Sequence, residues 1–266
     1  MSIQVGRIKG IPIRLHFTLL LVSSLTTWIL TVTLMPELYP SLNVSAYWIM
    51  GIGGSIILIV SVLLHELAHS FVAQMYGLKV REIVLYIFGG VSVIENQDEL
   101  ASKDFRKEFK IAAVGPLTSF VIAAILSVLF FLISSTGYTV MDANISHISS
   151  TRYVQDTIVL GVLQYGALVN IVVGGFNLIP AFPCDGGRIL RTVLLRSKND
   201  FDKSTKITIR IGIAVSYGFM GLGFFTIIFG SYISGFWILL IGWFLNSAAR
   251  AYLQQHHTKR YENILG

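Results

Sequence analysis

The chain has 266 residues, 54% hydrophobic and 13% charged, with a mean hydropathy of +0.71; so little polar surface excludes an ordinary water-soluble globule and makes this a membrane protein that uses lipid as part of its solvent. The net charge is +6, but the basic residues flank apolar runs and do not gather on a polar domain, which argues against a nucleic-acid partner. Cys184 is the single cysteine, which excludes an intrachain disulfide, a cysteine-based zinc site and an iron–sulfur cluster.

Arg7, Lys9 and Arg14 precede a first apolar run over about 13–35. That run is too long for the core of a cleaved signal peptide and lacks a small-x-small cleavage pattern, so it reads as a retained span. Further spans are expected at about 47–76, 109–134, 157–180, 207–229 and 233–252. Gly174, Gly175, Pro180 and Pro183 interrupt the helical signal at the lower end of the fourth. Between the second and third spans, two β-rich runs within Val80 to Ile94 flank Gly89-Gly90 and read as a hairpin. Basic residues fall before span one, between spans two and three, between four and five, and after six, with Arg152 alone on the other side. The positive-inside rule then places both termini and the loops 77–108 and 181–206 in the cytoplasm. The expected fold class is an all-α multi-pass membrane protein with about six transmembrane helices and a short β-hairpin between helices 2 and 3. It is read as one membrane-embedded domain over 1–266, with a core at about 47–195, in the cell membrane.

Leu64-His65-Glu66-Leu67-Ala68-His69 contains the H-E-x-x-H pattern inside the second span. Residues four apart share a helix face, so His65 and His69 can offer both imidazoles to one metal ion, with Glu66 close enough to reach a water on it. Ionisable groups within a span are costly and are rarely kept without a polar or metal-bound function. Catalytic zinc takes three protein ligands and leaves one position for water. Asp185 is the best third candidate, because it follows span four in Asn177-Leu178-Ile179-Pro180-Ala181-Phe182-Pro183-Cys184-Asp185-Gly186-Gly187, where prolines and glycines break the helix. Its competing reading is an ordinary Asp-Gly turn residue. His16, His147, His256 and His257 are weaker ligand candidates. Asn177 suits either a donor to an oxyanion or substrate backbone, or a helix cap. Cys184 is assigned no role, packing being the usual fate of a lone cysteine in an apolar segment.

These residues resemble the site-2 protease family of intramembrane zinc metalloproteases at three places in the right order. They are His65-Glu66-Leu67-Ala68-His69, Gly115-Pro116 near the start of span three, and the Asn177 to Gly187 stretch, which matches the pattern N-x-x-P-x-x-P-x-D-G-G at every specified position. The resemblance implies a three-helix catalytic core, one zinc held by His65, His69 and Asp185, Glu66 activating water, and Asn177 helping to position substrate. It also implies that the partners are a lipid bilayer and single-pass membrane proteins, cut within or beside the membrane. The segment around Gly89-Gly90 resembles the family's membrane-re-entrant β-loop, whose edge is expected to receive the substrate as an added strand. Relatives often carry a PDZ domain or paired CBS modules; neither is expected here.

The main alternative class is a membrane transporter passing zinc or protons through the same polar residues. Against it stand the position of Glu66, the sparse intramembrane charge elsewhere, and the lack of an inverted repeat. A membrane-embedded zinc protease acting on soluble substrates and a non-catalytic scaffold are further alternatives. The Asp185 context disfavours the first, and the intact ligands and base disfavour the second.

Overall fold

A computed structural model describes residues 2–40, 42–87, 89–143 and 150–265, excepting the side chains of 136–143, 150–153 and 255–265. In chain order the elements are β1 (Ser2–Ile8), β2 (Ile11–His16), α1 (Thr18–Leu38), α2 (Val44–Met75), β3 (Val80–Tyr86) and β4 (Gly89–Ile94). There follow α3 (Gln97–Lys103), α4 (Phe105–Ala143), α5 (Ser150–Asn177), α6 (Asp185–Lys198), α7 (Phe201–Ile228) and α8 (Tyr232–Leu265). Six of the described helices, α1, α2, α4, α5, α7 and α8, are long and apolar enough to cross a membrane. The protein is thus an integral membrane protein, mostly helical, with a small sheet.

The first helix begins at Thr18, and not near residue 13 as the apolar run suggests. Ile11–His16 is a strand instead, with Ile11 and Ile13 buried on one face and the turn before it made by Lys9 and Gly10, both at positive φ. Strand order in the sheet is β1-β2-β3-β4. The expected hairpin is present as β3 and β4, antiparallel, with Leu85 opposite Gly90 and Ile83 opposite Ser92. β2 pairs in parallel with β3, Ile13 opposite Ile83, and β1 pairs antiparallel with β2. β4 therefore presents an edge that no described strand covers.

The chain divides into two compact units, Met1–Glu95 with Leu117–Gly174, and Asn96–Pro116 with Gly175–Gly266. In the first unit, α1, α2 and α5 approach through small residues, as expected where lipid supplies no hydrophobic drive and close packing must do so. A Cβ on Gly51 would strike Thr31 and the Thr27 carbonyl, and one on Gly161 would strike Met50. Leu30, Met35 and Met50 form the buried cluster there. Asn170, fully buried on α5, donates from Nδ2 to Ser61 Oγ at 2.8 Å, which ties α5 to α2 one turn before His65. The Asn43 side chain caps α2 by accepting from the Ala46 N–H at 2.8 Å.

In the second unit, α7 and α8 form an antiparallel pair joined at Gly230, φ +90. Gly223, Gly235 and Gly242 let the two backbones touch. The buried Asn246 donates to Ser216 Oγ across that seam at 2.8 Å. α6 packs on α7, with Gly212 set against Ala181.

Candidate metal centre

His65 and His69 stand one turn apart on α2, both buried, with ring centroids 4.9 Å apart and planes at 74°. Helical continuity through Val44–Met75 makes this spacing a consequence of the sequence. His65 Nδ1 lies 2.9 Å from Ser119 Oγ of α4, itself fully buried. A partner on Nδ1 orients the ring and directs Nε2 toward a metal. Glu66, half-buried, accepts a hydrogen bond at Oε2 from Ser92 Oγ of β4 at 2.7 Å.

Asp185 is the first residue of α6 and is 7% exposed. The break before it is built by local turns: Ala181 N–H donates to Ile179 O at 2.7 Å, and Cys184 N–H to Ala181 O at 2.9 Å. The two glycines after Asp185 are required by contact. A Cβ on Gly186 would overlap the carbonyls of Leu178 and Ile179, and one on Gly187 would come within 2.8 Å of the Ala181 carbonyl carbon. A carboxylate at a helix N-terminus is also favoured by the unpaired N–H groups and the helix dipole. Asn177 is the last residue of α5 and half-buried, at the upstream edge of the same break.

A buried charge network holds the start of α6. Glu108, fully buried on α4, accepts from Arg188 Nε at 2.9 Å and from Arg191 Nη2 at 3.3 Å. Arg188 Nη1 donates to Asp185 Oδ1 at 3.4 Å, and Arg191 Nη1 to Asp98 Oδ1 at 3.1 Å and Tyr252 Oη at 3.0 Å. Phe182 stacks on Tyr252 with centroids 4.2 Å apart. Burial, and then the neighbouring Asp185 charge, push the Cys184 thiol up to about 12. It stays a protonated packing group.

His65 and His69 of the first unit and Asp185 of the second are all buried, and each offers a ligand atom of the kind that holds a metal ion. Two imidazoles and one carboxylate without a thiolate suit a water-bearing zinc site. His16 is elsewhere: its Nδ1 meets Thr18 Oγ1 at 2.9 Å where β2 passes into α1. His147 lies outside the described residues, as do the side chains of Arg152, His256 and His257. Sequence reasoning missed Ser119, Ser92, Glu108 and Arg188. The one available signal was an acidic residue at the mouth of span three and two arginines just after Asp185, complementary charges flanking apolar segments.

A family model described as Peptidase family M50 matches residues 53–219. Among curated proteins, the chain is 32% identical over 249 residues to Rip3 of Mycobacterium tuberculosis, covering 94% of this chain and 58% of that protein. It is 38% identical over 213 residues to zinc metalloprotease MJ0392 of Methanocaldococcus jannaschii, covering 79% of this chain and 50% of that protein. The chain thus spans about half the length of these curated relatives. Among solved structures it resembles the site-2 protease from Methanocaldococcus jannaschii, with a TM-score of 0.56, 32% identity and 94% of each chain covered.

Proposed function

Because the chain belongs to peptidase family M50, we propose that it is an intramembrane zinc metalloendopeptidase, cutting single-pass membrane proteins within or beside their membrane segment. His65, His69 and Asp185 hold one zinc ion, Glu66 is the general base, and Asn177 binds substrate backbone or the developing oxyanion. The observation that carries this reading is the buried His65–His69 pair one turn apart on α2, with Glu66 between them, inside the stretch 53–219 that the family model matches.

Zinc, when bound, makes a water acidic near neutral pH and polarises the scissile carbonyl. The chain's own residues do the rest. Glu66 takes the proton from the attacking water and returns it to the leaving amine. Ser119 keeps the His65 ring in the orientation that presents Nε2. The Asn177 amide offers a donor to an oxygen that gains charge. The β4 edge pairs with the substrate main chain and holds it extended, since amides in an intact helix are shielded. Substrates with residues of low helix propensity near the bond are favoured accordingly.

We place both termini and the loops 77–108 and 181–206 in the cytoplasm, from the basic flanks. His65 and His69 then stand in the later, inward part of α2, and the bond cut lies nearer the cytoplasmic face.

The test uses the purified chain in liposomes with a tagged single-pass segment carrying Gly-Pro in its cytoplasmic third, and product mapping by mass. Glu66→Ala is expected to keep its zinc and lose turnover by at least 1,000-fold, the scale on which removing a proton-transfer group acts. Turnover at the wild-type rate by a zinc-loaded Glu66→Ala protein sinks the mechanism.

A further inference from the structure

Two residues on one face of β4 lie against the side chain proposed as the general base. Gly90 and Ser92 are two apart, so both point to the same side of the strand. A Cβ on Gly90 would overlap Cγ of Glu66 and reach within 3.0 Å of its Cδ. Ser92 Oγ donates to Glu66 Oε2 at 2.7 Å, with Glu66's own carbonyl oxygen 3.2 Å away. From the other side, Ser70 Oγ donates to Ser92 Oγ at 3.1 Å. Ser70 follows Glu66 by four residues and is fully buried, so it stands on the same stripe of α2. The proton order is therefore fixed: Ser70 to Ser92, Ser92 to the carboxylate.

A carboxylate on an unbranched two-carbon arm has several rotamers, and only one orientation serves proton transfer. The Ser70–Ser92 chain selects among them from a strand, not from the helix that carries Glu66. That strand pairs with β3 on one side and meets no described strand on the other.

We propose that Ser92 is the positioning residue of Glu66, so that alignment of the base depends on the seating of the strand that receives the substrate. The proposal rests on the reading of Glu66 as general base and of β4 as the receiving edge. The Ser92–Glu66 bond is already made with β4 paired to β3 alone. Substrate added to β4 would hold the strand in that place, which links recognition of an extended main chain to the proton-transfer step.

The same liposome assay tests this with Ser92→Ala, Ser92→Thr and Glu66→Gln. Ser92→Ala is expected to lower kcat about tenfold with KM within twofold of wild type and zinc content unchanged, the loss attributable to one charge-assisted hydrogen bond. Ser92→Thr should recover most of the rate. Ser92→Ala should also keep the wild-type melting temperature in detergent, a result that a general loss of structure does not give. A Ser92→Ala protein turning over within twofold of wild type, while Glu66→Gln is dead, overturns the positioning role and leaves the protease reading standing. Glu66→Gln active at the wild-type rate overturns the reading itself. Independently of turnover, Ser70→Cys/Ser92→Cys should crosslink under mild oxidant, since the hydroxyls it replaces are 3.1 Å apart. Failure to crosslink in folded protein removes the contact on which the proposal stands.

Discussion

At the turn into α6, Gly186 and Gly187 are constrained by backbone atoms, which cannot swing aside as a side chain can. We expect Gly186→Ala to destabilise the protein by about 1–3 kcal/mol, the usual range for overpacking, and to lower zinc content because Asp185 is displaced with the turn. Thermal unfolding in detergent and elemental analysis check the two effects. An unchanged melting temperature would mean that the 178–182 backbone yields more readily than its hydrogen-bonded turns suggest. At this scale the sequence was legible where spacing carries the chemistry. The i, i+4 pair His65 and His69 on one helix face, and the broken segment that carries Asp185, could be read from the chain. Ser119 and Ser92 could not, because a serine in an apolar run has no period or motif that marks it, and what it meets depends on which helix or strand comes alongside.

Among elements, α6 is joined to α4 by buried charge. Glu108 is fully buried between Arg188 and Arg191, and neither arginine has another fully buried carboxylate among its described partners. Removing one partner of such a network leaves the others' charges uncompensated, so Glu108→Ala should cost about 3–5 kcal/mol. Glu108→Gln should cost less, since it retains an acceptor oxygen. Denaturation of the two variants in detergent, compared with wild type, gives the order directly; equal stabilities would show that water replaces the lost carboxylate. The spans were readable because eighteen or more apolar residues in succession have few other uses. β1 and β2 were not, since Ile11, Ile13 and Leu15 run straight into the apolar start of α1 and a six-residue strand is lost in a longer hydrophobic window. The charge network was hidden for a different reason: its partners lie 80 and 83 residues apart in the chain.

For the whole molecule, the proposed topology, drawn from six membrane-capable helices among the described residues and from the basic flanks, has both ends of the chain in the cytoplasm. A cysteine replacing the exposed Gln4, in a Cys184→Ala background, should be labelled by an impermeant maleimide only after the inner face is opened, and labelling from outside would reverse the topology. The parallel pairing of β2 with β3 adds a consequence in time. Arg14 and Glu82, joined at 3.2 Å across those strands, are 68 residues apart with α1 and α2 between them. Closing so long a loop is entropically costly until the intervening helices have paired. The sheet therefore completes only after the first two helices are inserted and packed against each other. A nascent chain emerging from the ribosome has the His-Glu pair but no seated strand beside it, and the contact between Ser92 and Glu66 is deferred until the polypeptide has reached its bilayer.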